Sequence, residues 1–280
     1  MNFLQVFILA LIQGIAELLP VSSSAHVILA EKLMGLDPSS PQMTFLLVML
    51  HTGTMFAVIV YFWKAWRASY FSSWIDFRNT VIFVMSATAV TGVIGLGLLH
   101  LIKHVFFAGS PTFEIEHLFD NSKLMAAALA SAGILIIASS RLQGSDKPMT
   151  IRRASAIGAV QALCLPFRGF SRSGATISTG LFLGISRKKA EEFSFALAVV
   201  LTPAVIAKEF LRLHTAYQAA PLAGGSDFMS LVLPSLFGMV CSFFAGLLAL
   251  RWLSSWLDNG RWYLFGGYCL VFAVIVLLLT

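Results

Sequence analysis

Charge is scarce in this chain. Asp, Glu, Lys and Arg make up 11% of its 280 residues, against 58% hydrophobic residues. With a mean hydropathy of +0.84, that scarcity excludes an ordinary soluble domain, in which roughly a quarter of residues are charged. Cysteine is equally thin. Cys164, Cys241 and Cys269 stand in apolar surroundings without metal-ligand spacing, which argues against a disulfide framework or a zinc site and leaves them as packing residues. The start, Met1-Asn2-Phe3-Leu4-Gln5, lacks a basic n-region and no small-residue cleavage site follows, so it is expected to be mature sequence. No Lys-Ser/Thr pair closes a G-x-x-x-x-G run, so a Walker-type phosphate loop is absent. The net charge of +6 gathers into no stripe. Its Lys and Arg residues punctuate apolar segments, which points to membrane topology and not to nucleic acid as a partner.

What is present is hydrophobic length, with 24 Phe and 6 Trp to face lipid and its interfaces. About 20 apolar residues in a helix cross roughly 30 Å of hydrocarbon. Six segments approach or reach that length: 44–63, 80–102, 124–140, 193–210, 230–250 and 262–280. Four apolar stretches are too short or too interrupted: 3–19, 22–36, 154–165 and 174–185. They form two consecutive pairs, each broken by Pro, Ser and Gly, the pattern of a re-entrant helical hairpin over 3–36 and another over 154–185. Irregular backbone at that depth is tolerated where protein or a water-filled cavity surrounds it.

The loops carry a charge bias. Lys64, Arg67 and Arg78 lie in 64–79, and Arg141, Lys147, Arg152 and Arg153 in 141–153. Arg187-Lys188-Lys189 and Arg251/Arg261 fall on the same side if six spans alternate. The other side holds 103–123, with Glu114, Glu116 and Asp120, and the sparsely charged loop 211–229. The positive-inside rule puts the basic loops in the cytoplasm, both termini outside, and the two hairpins entering from opposite faces. Ser22-x-Ser24 precedes Gly35 by eleven residues, and Ser171-x-Ser173 precedes Gly184 by the same count. Opposite entry and this spacing together predict an all-α integral membrane protein: one membrane domain over 1–280, six transmembrane helices plus two re-entrant hairpins. Its inverted-topology repeat halves span approximately 1–140 and 150–280.

Two polar clusters interrupt the apolar sequence where the hairpins break. The first runs Gln13-Gly-Ile-Ala-Glu17-Leu-Leu-Pro20-Val-Ser22-Ser23-Ser24-Ala-His26, the second Pro166-Phe-Arg168-Gly169-Phe-Ser171-Arg172-Ser173-Gly174-Ala-Thr176. A charge at bilayer depth costs about 2.5–3.5 kcal/mol on insertion scales, so such residues face a cavity and do work. Gln13 and Glu17 share one helix face at i,i+4. Three serines exceed what one helix cap needs, and His26 within one turn of them fits nucleophilic catalysis, in which a hydroxyl needs a base and the base an orienting group. In the second cluster, Ser171, Arg172, Ser173, Gly174 and Thr176 open a helix whose N–H groups face a bound anion, with Arg172 as a bidentate phosphate donor. Phosphoryl transfer relies on positioning and charge neutralisation, usually with a divalent metal; Glu17 is the candidate ligand for a loosely bound Mg²⁺ or Ca²⁺. His51, mid-span, reads equally well as a site residue or as a histidine bonded to a neighbouring helix. Glu31, Lys32, Glu191 and Glu192 read as interfacial charges.

At these motifs the chain resembles the bacitracin-resistance type of undecaprenyl-diphosphate phosphatase. That family is marked by an (E/Q)-x-x-x-E segment leading into a Pro-Val-Ser-Ser run with a histidine, and by a PG-x-S-R-S-G-A-T segment. The likeness covers essentially the whole chain in length, span pattern and motif placement. It implies hydrolysis of undecaprenyl diphosphate, a phosphoanhydride, to undecaprenyl phosphate and inorganic phosphate. The setting it implies is a bacterial inner membrane, in a site opening toward the periplasm, where the reaction recycles the cell-wall carrier lipid and confers bacitracin resistance. Carried over, Glu17, Ser23, His26 and Arg172 are catalytic: Ser23 as nucleophile, His26 orienting or activating it, Glu17 in the metal or base role and Arg172 on the diphosphate. Gln13, Ser22, Ser24, Ser171, Ser173, Gly174 and Thr176 line the substrate. Water as direct nucleophile, with Ser23 only a ligand, is the other assignment. Two positions depart from the pattern: Gln13 stands where many members have Glu, and Phe167-Arg168 separates Pro166 from Gly169. A polyprenyl-phosphate flippase using the same pocket is the rival reading, and a homodimer is left open.

Overall fold

The computed structural model describes residues 2–37, 40–106, 121–142, 145–219 and 228–279. Ten helices and no strand occur among the described residues: α1 (Phe3–Leu18), α2 (Ser23–Leu33), α3 (Pro41–Ser69), α4 (Trp74–Phe106), α5 (Ser122–Ser140), α6 (Ile151–Ala162), α7 (Arg172–Phe182), α8 (Arg187–Ala219), α9 (Phe228–Asp258) and α10 (Trp262–Leu279). Five of them, α3, α4, α5, α9 and α10, are long and apolar enough to cross a membrane, so the chain is an all-helical, multi-pass membrane protein. The sixth expected span, 193–210, lies inside the 33-residue α8.

The long helices overrun the boundaries expected from hydrophobicity. Only 70–73 separates α3 from α4, so Lys64, Arg67 and Arg78 are helical. Likewise α8 continues through 211–219, expected as loop, and α9 carries Arg251. At 1.5 Å per residue, the 33 residues of α4 extend about 50 Å, well beyond a hydrocarbon core of roughly 30 Å. Charged residues therefore mark where a helix leaves lipid, and not where it ends. Glu114, Glu116 and Asp120 of the expected acidic loop lie outside the described residues, as does 220–227.

The described chain packs as two compact units. The first comprises Met1–Leu18, Ser23–Phe62 and Ala198–Leu253; the second comprises Leu19–Ser22, Trp63–Leu197 and Ser254–Thr280. In the first unit α1 packs on α2, and Val6, Leu9, Ala10, Val27, Met43, Leu46 and Leu50 form its apolar core. Ser242 of α9 ties this unit together. Its hydroxyl donates to the Leu50 carbonyl at 2.9 Å, and α1 approaches it so closely that a Cβ on Gly14 would lie 2.8 Å from the Ser242 carbonyl oxygen. A Cβ on Gly53 would meet the Met239 carbonyl at 2.2 Å. Small residues thus let α1 and α3 approach the backbone of α9, as membrane helices require when lipid gives apolar faces no reason to associate.

In the second unit α10 packs on α5, α6 on α4, and α7 on both α5 and α6. Gly133 and Gly266 meet reciprocally; a Cβ on either would lie within 2.8 Å of the other's carbonyl oxygen. The fully buried Trp262 donates from Nε1 to Ser139 Oγ at 3.0 Å, which is 2.9 Å from Ser178 Oγ of α7. This hydroxyl chain seats α7 on the α5–α10 pair. Between α4 and α6, Gln161 Nε2 donates to Thr91 Oγ1 at 3.1 Å, and Thr91 Oγ1 donates to the Gly158 carbonyl at 2.9 Å.

The carboxylates Glu31, Glu191 and Glu192 correct an expectation. All three are buried, and only Lys32 is exposed. Ser254 donates to Glu191 at 2.8 Å and Ser69 to Glu192 at 3.3 Å, so hydroxyls from other helices replace water at these groups. At the surface Lys189 pairs with Asp146 at 2.9 Å. The Lys189 hydrogen bond, with one from Ser186 and the lysine's charge, holds the Asp146 carboxyl below its usual range.

Two glycines of helix interiors separate packing from propensity. Gly53→Ala drives a methyl group into the Met239 carbonyl, and an overpacked contact of this kind costs about 1–3 kcal/mol. Gly92, on α4, has nothing within 4 Å of an added Cβ, and Ala there is the better helix former by about 1 kcal/mol. Thermal unfolding in detergent is expected to fall by several degrees for Gly53→Ala and to hold or rise for Gly92→Ala.

Candidate active site

Glu17 Oε2 is the point on which the first cluster converges. Gln13, one turn earlier on α1, donates from Nε2 at 3.2 Å. Ser23, the first residue of α2, donates from Oγ at 2.6 Å. The third neighbour comes from α3: His51 Nε2 lies 3.5 Å from the same oxygen, while its Nδ1 contacts the Leu47 carbonyl at 2.7 Å. Gln13 is buried and the Glu17 side chain is 17% exposed, so a largely desolvated carboxylate meets polar side chains from three helices, with donors from Gln13 and Ser23. His51 was one of two equal readings in the sequence. Its signal, a lone histidine in an apolar helix, cannot show which neighbour the ring meets until the helices are packed.

The turn between α1 and α2 is tight. Val21 N–H donates to the Leu19 carbonyl at 2.8 Å, and the buried Ser22 has φ 68°. A non-glycine residue in the left-handed region costs of order 1–3 kcal/mol, and such residues cluster at functional sites. Leu19–Ser22 belong to the second unit, where the Cys269 thiol donates to the Pro20 carbonyl at 3.4 Å and Ser173 Oγ to the Leu19 carbonyl at 3.4 Å. The turn that carries Ser22 is therefore held by α10 and by the first turn of α7. Cys269, read as inert packing, also serves as a hydrogen-bond donor.

The second cluster forms the N-terminal turn of α7, as its residue types predict. Ser171 caps the helix, its hydroxyl accepting from Gly174 N–H at 3.2 Å. Arg172 is the first helical residue. Its Nη1 donates to the Ser194 carbonyl of α8 at 3.4 Å, and its guanidinium lies 5.9 Å from the centre of the Phe195 ring, within cation–π range. Thr176 Oγ1 is 2.6 Å from Ser194 Oγ and donates to the Arg172 carbonyl at 2.8 Å. A Cβ on Gly174 would lie 2.8 Å from Ile136 Cδ1 of α5, so the two helices are in close contact here. Ser194 is the residue that sequence reasoning missed in this half, because it sits mid-helix among apolar neighbours with no motif around it.

Phe167-Arg168, the departure in the second motif, is absorbed in a turn. Phe170 N–H donates to the Phe167 carbonyl at 3.1 Å, with Gly169 third in the turn at φ 105°; a type II turn requires positive φ there. The inserted pair ends before the Ser171 cap, so the helix start keeps its form.

The structure thus gathers Gln13, Glu17, Ser23 and His51 in one unit, and Ser22, Ser171, Arg172, Ser173, Gly174 and Thr176 in the other. His26 is half-buried on α2, three residues after Ser23 and on the same face; Ser24 is the second residue of that helix. No group of three or more His, Cys, Asp or Glu that could hold a metal occurs among the described residues. A lone carboxylate such as Glu17 suits Mg²⁺ or Ca²⁺ held chiefly by substrate phosphate and water, and not an all-protein cage.

Comparison with known proteins matches this chain to one family. A family model described as bacitracin resistance protein BacA matches residues 6–275. The chain is 71% identical over 281 residues to undecaprenyl-diphosphatase 2 of Acinetobacter baylyi, covering 100% of this chain and 99% of the relative. It is 30% identical over 292 residues to undecaprenyl-diphosphatase of Korarchaeum cryptofilum, covering 99% of each. It is 33% identical over 272 residues to undecaprenyl-diphosphatase 2 of Burkholderia thailandensis, covering 93% of this chain and 91% of the relative. Matched from end to end, the chain belongs to the bacitracin resistance protein BacA family.

Proposed function

We propose that this protein hydrolyses undecaprenyl diphosphate to undecaprenyl phosphate and inorganic phosphate in the bacterial inner membrane, at a site open to the periplasm. The names of its relatives support the substrate. One observation carries the chemistry: the Ser23 hydroxyl donates at 2.6 Å to a carboxylate that is itself fixed by Gln13. A flippase needs an anion site but has no use for a hydroxyl aimed at a base, so the contact favours hydrolysis over transport.

In this reading Ser23 Oγ attacks the terminal phosphorus and its proton passes to Glu17. The bond from that phosphorus to the bridging oxygen breaks, and the prenyl phosphate leaves with the electron pair. Water then attacks the phosphoserine and the P–Oγ bond breaks; Oγ takes back the proton held by Glu17, one proton of the water stays on the departing inorganic phosphate and the other is released to solvent. His26, on the Ser23 face of α2, orients the hydroxyl. Arg172 and the N–H groups at the start of α7 hold the phosphate oxygens, with Ser171, Ser173 and Thr176 beside them, and oppose the charge that builds there. A divalent cation held by Glu17 would neutralise phosphate charge further.

The same reading places six spans and two re-entrant hairpins in an inverted repeat, with halves near 1–140 and 150–280. Local geometry supports it. Both α2 and α7 have eleven residues, and each ends with a glycine at positive φ, Gly35 and Gly184. At both ends the glycine N–H donates three residues back and the next N–H five back, Leu36 to Glu31 and Ile185 to Gly180. This is the Schellman closure, in the same register after each Ser-x-Ser.

Purified protein in detergent, given the C55 diphosphate, is expected to release inorganic phosphate. Ser23→Ala should lower the rate by about 10⁴-fold or more, the scale seen when a nucleophile is removed. Wild-type protein without release would end the phosphatase reading; release surviving Ser23→Ala would move the nucleophile to water. Arg172→Ala should cost about 10²–10³-fold, the effect of losing one charge-stabilising donor, and Arg172→Lys should recover little of it because an ammonium lacks the fork. A chelator should suppress turnover, and added Mg²⁺ or Ca²⁺ should restore it; turnover unmoved by chelation would remove the cation.

A further inference from the structure

A guanidinium serves a phosphate only when its fork points the right way, and a long, rotatable side chain does not secure that by itself. Arg172 is half-buried, whereas Thr176, Ser194 and Phe195 around it are buried. All four belong to the second unit. The Ser194 carbonyl accepts from Arg172 Nη1 at 3.4 Å; a carbonyl inside a helix can take this further bond because it has two lone pairs. The next residue of α8 lends its ring, with the Phe195 centroid 5.9 Å from the guanidinium carbon.

The hydroxyl of Ser194 reaches the same arginine by another route. Thr176 Oγ1 has one hydrogen, and it points at carbonyls of its own helix, that of Arg172 at 2.8 Å and that of Ser173 at 3.4 Å. The hydrogen in the 2.6 Å contact between Thr176 Oγ1 and Ser194 Oγ therefore comes from Ser194. The bonds close a ring. Ser194 Oγ donates to Thr176 Oγ1, Thr176 Oγ1 to the Arg172 carbonyl, and Arg172 Nη1 back to the Ser194 carbonyl. Hydroxyl bridges between membrane helices are a common packing device. A bridge made only for packing has no reason to end, from both of its atoms, on the one charged residue of α7.

We propose that Ser194 is a positioning residue acting through Arg172: its carbonyl sets the guanidinium, and its hydroxyl, through Thr176, sets the backbone from which that side chain springs. This rests on the phosphatase reading, in which Arg172 holds the phosphate oxygens. Thr176 then serves the site through Arg172, with its own hydrogen spent inside the helix. What Ser194 supplies is a fork already aimed when the phosphate arrives, so that no reorientation is needed as charge develops.

Ser194→Ala keeps the carbonyl and removes the hydroxyl, and it strands no donor, since Thr176 keeps its bond to Arg172. Its kcat/KM for the C55 diphosphate is expected to fall about 10–100-fold, up to the cost of an ångström's misplacement, with thermal unfolding in detergent within a few degrees of wild type. Ser194→Thr, which keeps the donor, should recover most of the loss. A double-mutant cycle decides the role. In an Arg172→Ala background Ser194→Ala has nothing left to aim and should change kcat/KM by less than about threefold, whereas a general packing defect would lower it again by the full factor. Ser194→Ala within threefold of wild type, or factors that multiply across the cycle, overturns the inference and leaves the phosphatase reading intact. Should Ser194→Ala fail to fold, Ser194→Cys, with its weaker donor, carries the same cycle. Wild type that releases no phosphate overturns the phosphatase reading itself. The cycle is then read from the affinity for inorganic pyrophosphate, which Ser194→Ala should weaken several-fold beside Arg172 and leave unchanged in Arg172→Ala; equal weakening in both overturns the inference.

Discussion

A carboxylate surrounded by apolar helices stays ionised only if donors replace the water it has lost. Much of the first unit can be understood as the means of bringing polar side chains to Glu17. Gln13 is supplied by the pitch of α1, Ser23 by the tight turn that starts α2, and His51 by α3. Each side chain depends on backbone held in place elsewhere. Ser242 fixes α3 beside His51, and Gly14 lets α1 approach the same residue.

The second unit solves the opposite electrostatic problem. It seats a guanidinium among apolar neighbours, where Arg172 meets a backbone carbonyl and an aromatic face. The buried hydroxyl chain from Trp262 through Ser139 to Ser178 seats α7 firmly, so on the proposed reading its first turn is preorganised for the phosphate. Preorganisation of this kind is where electrostatic catalysis gains most, since nothing must reorient as charge develops.

The sequence was most legible where chemistry and backbone share a signal. Ser171-Arg-Ser-Gly announced a helix start, and α7 begins there. The short helices of 3–36 and 154–185 were legible as lengths too small to span. Contacts made across the fold were not. His51 and Ser194 lie in helices whose neighbours in sequence are apolar, and nothing local records that Glu17 and Thr176 will arrive beside them. Glu191 and Glu192 misled for the same reason, because charges near helix ends resemble interfacial charges until Ser69 and Ser254 supply the missing hydration. Helix boundaries were misjudged where polar residues prolong a helix beyond lipid, as in α8, since hydrophobic length measures the membrane and not the helix.

The matched registers of α2 and α7 have a consequence for how such a protein could arise and be altered. Aligned from their terminal glycines, Ser23 and Arg172 occupy the same position, the first residue of an eleven-residue helix. That position has few obligations: its N–H has no partner within the helix whatever side chain it carries. On the proposed reading, one helix carries a nucleophile there and the other a cation, and the change from one to the other needs neither helix to be rebuilt. Asymmetry of function would then have entered through the residue whose replacement disturbs the scaffold least, which also makes it the natural place to begin redesigning the pair.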